Sequence, residues 1–511
     1  MRVITEPFGG TALTRAYLAR SAPAGWYQGG ESAREFSEFL VGNARAVASE
    51  FNGTDWLARL SGAFGLTSGA PAHARMQRAS NGGLVVTTGQ QPGLFGGPGY
   101  TFAKALTALA LADELEKLTG VPVAPVFWAA TDDADFAESS SIVVPSGDGA
   151  LELRVEKRDE VQRPLADEPL PEMGGVLDEF LRGVGSSSNS PIVDLVRSAY
   201  GAGATVGGAY VYLLRGILEP LGIAVLDAAH PEVRAVGHPL LTRALVNADK
   251  AASALSERAA AIKAAGFKTQ VREVAGRSLV FRYSATGKER IPVASAGAEA
   301  ARATAGELGA TVLLRPIMER AILPTAAYVA GPAEIAYFAQ VSAVADALGV
   351  AQPVAVPRWS GTVIEPRVDR ILAKYVLTPS DFADPHALET TRAKASIPAE
   401  LMEVVGDLRD AAAAAGKARA MTGGLVPETV ITGLQRDIDH RLERFQRRLG
   451  AAMKQSGTRE LRDIAAARAS LYPFGKPQER AVSFVALLAR YGDDLQSKML
   501  EGARAHVTDL L

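Results

Sequence analysis

Cysteine is absent from all 511 residues. That absence excludes disulfides, thiolate metal sites and a cysteine nucleophile, and it is compatible with a reducing compartment. No run reaches the roughly 18 consecutive apolar residues of a membrane-spanning helix. The opening segment MRVITEPFGG lacks the charged and apolar regions of a signal peptide, so a cytoplasmic protein with no membrane partner is expected. Charge of one sign is missing too. Lys and Arg number 54 against 56 Asp and Glu, a net charge of -2, which gives no global attraction to nucleic acid. No His/Asp/Glu set has metal-ligand spacing, so no protein metal site is expected; an Mg²⁺ carried by a nucleotide would need few protein ligands. The length allows more than one domain around a sizeable core.

What is present begins with Thr87–Lys104, TTGQQPGLFGGPGYTFAK. It follows the apolar Leu84-Val85-Val86 and leads into a helical pattern from Tyr100 to Leu118. Strand, glycine-rich loop and helix can aim backbone N–H groups at an anion or a reacting carboxyl group. Thr88, Gly89 and Gly93 are candidate binding positions, and Gln90 and Gln91 add two amides that each donate and accept. Neither a Walker loop nor the Gly-x-Gly-x-x-Gly fingerprint fits. A tight strand-to-helix turn is the plain alternative.

A second apolar run, Val121–Trp128, ends in Ala129-Ala130-Thr131-Asp132-Asp133-Ala134-Asp135-Phe136-Ala137-Glu138. Strand, helix and strand over this distance predict a right-handed crossover in a parallel sheet. The glutamine loop and the acidic cluster then share one carboxyl edge, where open α/β sheets bind ligands. Asp132, Asp133 and Asp135 read either as a solvated loop that caps the next helix or as a pocket edge that binds an amine or acts as a base.

Before about residue 370 the pattern alternates strand and helix, an α/β class. Arg154 to Pro191 breaks it with prolines and the run Gly185–Ser190, and Gly222–Asp227 resumes the sheet. Val271 to Val293 alternates like a hairpin, and its charges at Arg272, Arg277, Arg282, Lys288 and Arg290 are expected on a solvated surface. Leu323–Val329 is a further strand, stopped by Gly331-Pro332, with Glu334 in the next first turn. Glu334 is either a dipole partner or a ligand, and Tyr337 or Gln340 should face the same way. Arg358, after the Pro353–Val356 strand, could hold a carboxylate bidentately.

Later, Ile431, Leu434, Ile438, Leu442, Phe445, Leu449 and Met453 recur at steps of three or four, a coiled-coil stripe. An earlier helix from about Ala399 to Ala420 is separated from it by Thr422-Gly423-Gly424. Such an arm suits dimerisation, with a core-packed helical domain as the alternative. His440 is expected at the surface. Gly475-Lys476-Pro477-Gln478-Glu479-Arg480 precedes a last helix and reads either as a helix start packed against the core or as a phosphate site, with Lys476, Gln478 and Arg480 as candidate nucleotide contacts. The expected domains are an α/β core over 1–384 with insertions near 150–205 and 265–310, a helical arm over 385–470, and a segment over 471–511 returning to the core.

The pair TGQQPGLFGGPGYTFAK and PVAPVFWAATDDADFAE resembles the bacillithiol-synthesis cysteine ligase family, BshC. So do the blocks Leu313–Pro316 with Leu323–Tyr337, Pro353–Arg358, and Gly475–Arg480 ahead of Tyr491-Gly492, in the family's order. One position departs: Ala134 stands where the family's acidic cluster usually has histidine, the side chain best suited to proton transfer near neutral pH. The resemblance implies a Rossmann-like parallel-sheet core with inserted segments and a C-terminal α-helical coiled-coil domain that makes a homodimer. It further implies a ligase condensing L-cysteine with the amine of glucosamine malate, with ATP or ADP, and Mg²⁺ carried by the nucleotide, as associated groups.

Gln90, Gln91, Asp132, Asp133 and Asp135 are then the expected catalytic residues. Thr88, Gly89, Gly93, Glu334, Tyr337 and Arg358 are the expected substrate contacts. Two other readings stand beside this one: an ATP-using ligase of the same fold with another amino acid or amine, and a non-catalytic nucleotide-binding dimeric scaffold. A class I synthetase acting on tRNA is disfavoured, since neither His-x-Gly-His nor Lys-Met-Ser-Lys-Ser occurs.

Overall fold

A computed structural model describes the chain apart from residues 31, 147–148, 186–189, 202–203, 285–286, 385–386, 396, 416–422, 424 and 456–458. The run expected as a connection at 186–189 and the link residues Thr422 and Gly424 therefore lie outside the described residues. The chain divides into two compact units.

The larger unit comprises Arg2–Ser146, Leu151–Val363 and Glu479–Leu511. The strands that position the crevice are β1 (Leu84–Gln90), β2 (Val123–Ala129), β3 (Ala224–Asp227), β4 (Arg277–Ser284), β5 (Gly287–Pro292), β6 (Leu308–Ala310), β7 (Thr325–Ala330) and β8 (Val354–Pro357). Five of them form one parallel sheet in the order β8-β7-β1-β2-β3. The continuous apolar runs read in the sequence are buried along β2, β7 and β8. A parallel sheet covered by helices on both faces requires such runs.

From β1 the chain steps through β2 to β3 on one side, then crosses to β7 and β8 on the other. The order therefore reverses at β1, and ligands of open α/β sheets lodge in the crevice at such a switch point. Register keeps the strand ends level: Gln90 pairs with Ala129, and Ala330 with Pro357. The Gly99–Thr119 helix follows β1 and the Pro332–Leu348 helix follows β7, both largely buried.

The expected hairpin after residue 271 is present as β4 and β5, with β6 completing a three-stranded antiparallel sheet. The first interruption of the pattern contains the Gly174–Val184 and Ser190–Ala199 helices. The C-terminal segment rejoins the unit through bridges Val143↔Val482 and Pro98↔Ser483. Its Phe484–Leu510 helix packs on Gly99–Thr119, with Phe484 and Phe102 stacked at 5.2 Å.

The smaller unit comprises Met1, Gly147–Ala150 and Ile364–Gln478. It begins near residue 364, earlier than 385, because the Pro366–Tyr375 helix packs on Arg459–Leu471, where Lys374 meets Asp463 at 3.1 Å. The Ala387–Ala395 and Ala399–Ala415 helices both pack on Glu428–Gln455, which carries the apolar stripe. Leu442 of that stripe is buried, whereas Leu434 and Phe445 stay about half exposed, as do Val404 and Leu408 of the partner helix. His440 is exposed, as expected. Among the described residues, no helix is long and apolar enough to cross a membrane.

Candidate active site

The reversal at β1 opens a cavity of about 430 Å³ at the carboxyl edge of the sheet. Gly89, Gln90 and Gln91 reach it from the end of β1, Asp132 and Asp133 from the loop after β2, and Glu334 and Tyr337 from the helix after β7. Arg358 lines it from the end of β8, and Arg480 from the returning C-terminal segment. Nine of the residues singled out in the sequence thus converge, drawn from five places far apart along the chain.

The glycines do not form the expected anion cradle, because other groups already take their N–H donors. Gly96 N–H donates to Gly93 C=O, Gly97 N–H to Leu94 C=O, and Gly99 N–H to Val482 C=O. Phe95 N–H donates to the Tyr200 hydroxyl at 2.6 Å. Gly93 is instead needed for a close backbone approach, since a Cβ there would sit 2.7 Å from Gly97 Cα. Thr88 is buried in β1 and donates to Val329 C=O at 2.8 Å, a strand-to-strand tie. Asp135 is exposed and caps a short helix through Glu138 N–H, which is the plain reading of the acidic loop. Lys476 and Gln478 belong to the smaller unit, where Lys476 is exposed and Gln478 is buried, donating to Ser470 C=O.

Lys104 was visible in the sequence only as one residue of a helix; in the fold it is the buried hub of the crevice. It is 3% exposed, and its Nζ meets Glu334 Oε2 at 2.5 Å, Gly89 C=O at 2.8 Å and Gln90 Oε1 at 3.1 Å. Burial lowers its pKa, against the pull of Glu334. Burial pushes Glu334 the other way, but Lys104, Arg315 and the Gly331 N–H outweigh it and hold the carboxylate below its ordinary range. Glu334 also accepts from the Tyr328 hydroxyl and from Gly331 N–H, each at 2.6 Å. Both readings of this residue meet here: it caps its helix, and it faces the cavity. Gln340 does not share that face; it is buried and bonds both backbone groups of Val271.

Arg315 completes the network, bonding Glu319 at 3.3 Å and the Tyr328 hydroxyl at 2.9 Å. Glu319 is fully buried, and burial lifts its carboxyl to about 7 despite Arg315. Arg358 does not present a free fork. Its two terminal nitrogens grip the Glu479 carboxylate at 2.8 and 2.7 Å, and Ser360 joins the same carboxylate. The next residue, Arg480, is exposed on the cavity wall and has no ion pair among the described residues.

The two cavity aspartates differ. Asp133 accepts from Gln91 Nε2, from Ala134 N–H at 2.6 Å and from Asp135 N–H at 3.3 Å, so it is tied to the loops. Asp132 is half-buried with its carboxylate less engaged, and the Tyr283 hydroxyl approaches it at 3.5 Å. Burial raises its pKa, Lys288 opposing and Asp133 adding to the rise. Lys288 and Arg290, expected on a solvated hairpin surface, line the cavity instead. Among the described residues no histidine lines it.

A parallel α/β core whose switch-point crevice gathers amides, carboxylates and cations from five loops defines a Rossmann-like protein with a small-molecule site. Residues 54–359 match the description "Bacillithiol biosynthesis BshC, N-terminal Rossmann-like domain", and residues 361–509 match "Bacillithiol biosynthesis BshC, C-terminal coiled-coil domain". The chain belongs to the BshC family. It is 33% identical to a protein of Koribacter versatilis (strain Ellin345), over 84% of each chain, and 32% identical to one of Solibacter usitatus (strain Ellin6076), over 86% of each. A protein of Symbiobacterium thermophilum is 29% identical over 98% of this chain and 96% of its own. All three carry the name "Putative cysteine ligase BshC".

Proposed function

We propose that this protein is the cysteine ligase of bacillithiol synthesis, forming an amide between the carboxyl group of L-cysteine and the amine of glucosamine malate. The observation that carries the reading is one cavity in which Asp132 and Asp133 meet Lys288, Arg290 and Arg480. An amine-bearing anion needs both signs of charge in one space, and so does a carboxyl group that must be held beside it.

Asp132 takes the proton that the attacking amine releases as the C–N bond forms. Its raised pKa brings it nearer the working pH of a general base, and Ala134 leaves no histidine for the task. Asp133 and Gln91 hold the two loops together so that Asp132 keeps its aim. Gln90, fixed by Lys104 and 3.2 Å from the Tyr100 hydroxyl, presents its amide to the reacting carboxyl group. Arg358 contributes by seating Glu479, and through it Arg480.

Amide formation from a free carboxylate needs an activated acyl group, which ATP would supply as an acyl-phosphate or acyl-adenylate; the acyl–oxygen bond breaks as the C–N bond forms, and phosphate or AMP leaves. Arg480 fits a phosphate contact, being a cation on the cavity wall with no ion pair among the described residues. Gln478 does not, since its side chain is buried and bonded. Among the described residues no three His, Asp or Glu side chains converge as a metal site, so Mg²⁺ would arrive on the nucleotide. The half-exposed Val404, Leu408, Leu434 and Phe445 support a homodimer through the helical arm. A cytoplasmic setting suits a thiol substrate and a chain without cysteine.

The test is a mass-spectrometric assay of purified protein with cysteine, glucosamine malate, ATP and Mg²⁺, each omitted in turn. Product mass that requires protein and both organic substrates is the expected result. Its absence from folded protein sinks the reading. Ala134 favours a second reading, the same ligation on another amine, and amines screened in the same assay separate the two.

A further inference from the structure

The β4–β5 hairpin sorts its charges by face. Phe281 pairs with Arg290 and Tyr283 with Lys288, while the intervening pair, Arg282 with Glu289, points to the opposite side of the ribbon. On that opposite side Arg282 is neutralised by an ion pair with Glu299. On the cavity side Lys288 and Arg290 have no carboxylate within ion-pair distance among the described residues. Aromatic rings support them instead. Lys288 Nζ lies 4.4 Å from the Phe281 centroid and 5.8 Å from that of Tyr283, and the Arg290 guanidinium lies 5.5 Å from Phe281. Rings steady a cation without cancelling its charge.

Thr311, also on the cavity wall, is 2% exposed, and its hydroxyl has no hydrogen-bond partner among the described residues. Two cations without an ion pair and a buried hydroxyl without a partner, among the described residues, are groups left on one wall for a ligand, because buried polar groups are otherwise paired.

We infer that Lys288, Arg290 and Thr311 form a dianion subsite that holds the dicarboxylate portion of the amine substrate. This rests on the ligase reading above and adds which wall selects that substrate. A nucleotide polyphosphate is the other source of such charge. It fits less well, because Lys288 Nζ is 3.3 Å from Asp132 C=O and the Asp132 carboxylate faces the same space. Two to four phosphate charges against that carboxylate would repel, whereas a molecule carrying both a dicarboxylate and an amine satisfies cations and carboxylate together.

The probe is L-malate, titrated calorimetrically into wild type, Lys288→Met, Arg290→Met and Arg290→Lys, with ADP as competitor, alongside steady-state kinetics. Expected results are at least a tenfold loss of malate affinity in both Met variants, partial recovery in Arg290→Lys, and no displacement by ADP. The KM for glucosamine malate should rise about tenfold or more while the KM for cysteine holds. Equal malate affinity in all four proteins, no measurable malate binding, or an increase confined to the nucleotide KM overturns the subsite. Malate binding that depends on Lys288 and Arg290 without any condensation keeps the subsite and removes the ligase reading. Condensation with an unchanged amine KM does the reverse.

Discussion

Lys104 Nζ and Glu334 Oε2 lie 2.5 Å apart and join the helix after β1 to the helix after β7 across the switch point. The ion pair therefore holds the crevice at its narrowest topological seam. Neither charge has alternative solvation, with side-chain exposures of 3% and 15%. Removing Lys104 leaves Glu334 buried with only Arg315, 3.7 Å away, to offset its charge, so the cost should lie near the lower end for a broken buried pair, about 3 kcal/mol. Lys104→Met should lose stability on that scale in urea denaturation. Lys104→Met with Glu334→Gln should recover part of the loss, although Tyr328 and Gly331 then keep only a neutral acceptor. A double variant no more stable than Lys104→Met would show that the pair is not the source of the effect.

Asp132 and Asp133 should separate kinetically although they are adjacent. Asp132→Asn removes the proton acceptor and should lower kcat by about 10²–10⁴-fold. Asp133→Asn keeps an acceptor for Ala134 N–H and should be milder. Lys288 favours the charged form of Asp132, so Lys288→Met removes that help and raises the Asp132 pKa further. The acid limb of the kcat/KM profile should then move to higher pH, measured with amine substrate adjusted to the variant's KM. A limb that stays in place would detach Asp132 from the proton transfer.

Much of this arrangement is legible in the sequence. Glycine and proline punctuation marked where β1 and β7 end, and strand–helix–strand spacing put Gln91 and Asp133 on one edge. Lys104 was not legible, because a lone lysine in an alanine- and leucine-rich helix reads as an exposed residue; its burial comes from Glu334, 230 positions away. Lys288 and Arg290 read with Arg282 as charges of one solvated hairpin surface, because only the pairing of Arg282 with Glu289 puts it on the opposite face, and alternation alone cannot say which face meets a cavity. Three aspartates in four positions look equivalent as letters. Only the turn geometry assigns Asp135 to helix capping and leaves Asp132 the less engaged carboxylate. Arg358 was read as a free carboxylate receptor because its partner, Glu479, lies in a segment that returns from the far end of the chain.

Glu319 makes stability depend on pH. Its carboxyl is lifted by burial from its ordinary 4.5 to about 7, so between those values the folded protein holds a proton that the unfolded chain has released. Stability from this group is full below pH 4.5 and is lost as pH rises to about 7, a change on the order of 3 kcal/mol. Glu319→Gln fixes the neutral form. Unfolding free energies at pH 5 and pH 7.5 should show the variant gaining on wild type at the higher pH. Parallel behaviour of the two proteins would place the folded pKa near its ordinary value.

The helical arm carries the prediction about assembly. Val404 and Leu408 are four residues apart on one helix, and Leu434 and Phe445 are eleven apart on its packing partner, so each pair shares a face. All four are 45–52% exposed. Side chains of this kind at coiled-coil spacing bury against a second copy when one is available. Val404→Glu with Leu408→Glu places two charges on the first face, and a like-charged pair meets itself across a two-fold axis. Sedimentation velocity should show a dimer for wild type and a monomer for the double variant, with circular dichroism unchanged. A double variant that still sediments as a dimer would move the interface off this face, and a wild-type monomer would remove the dimer altogether.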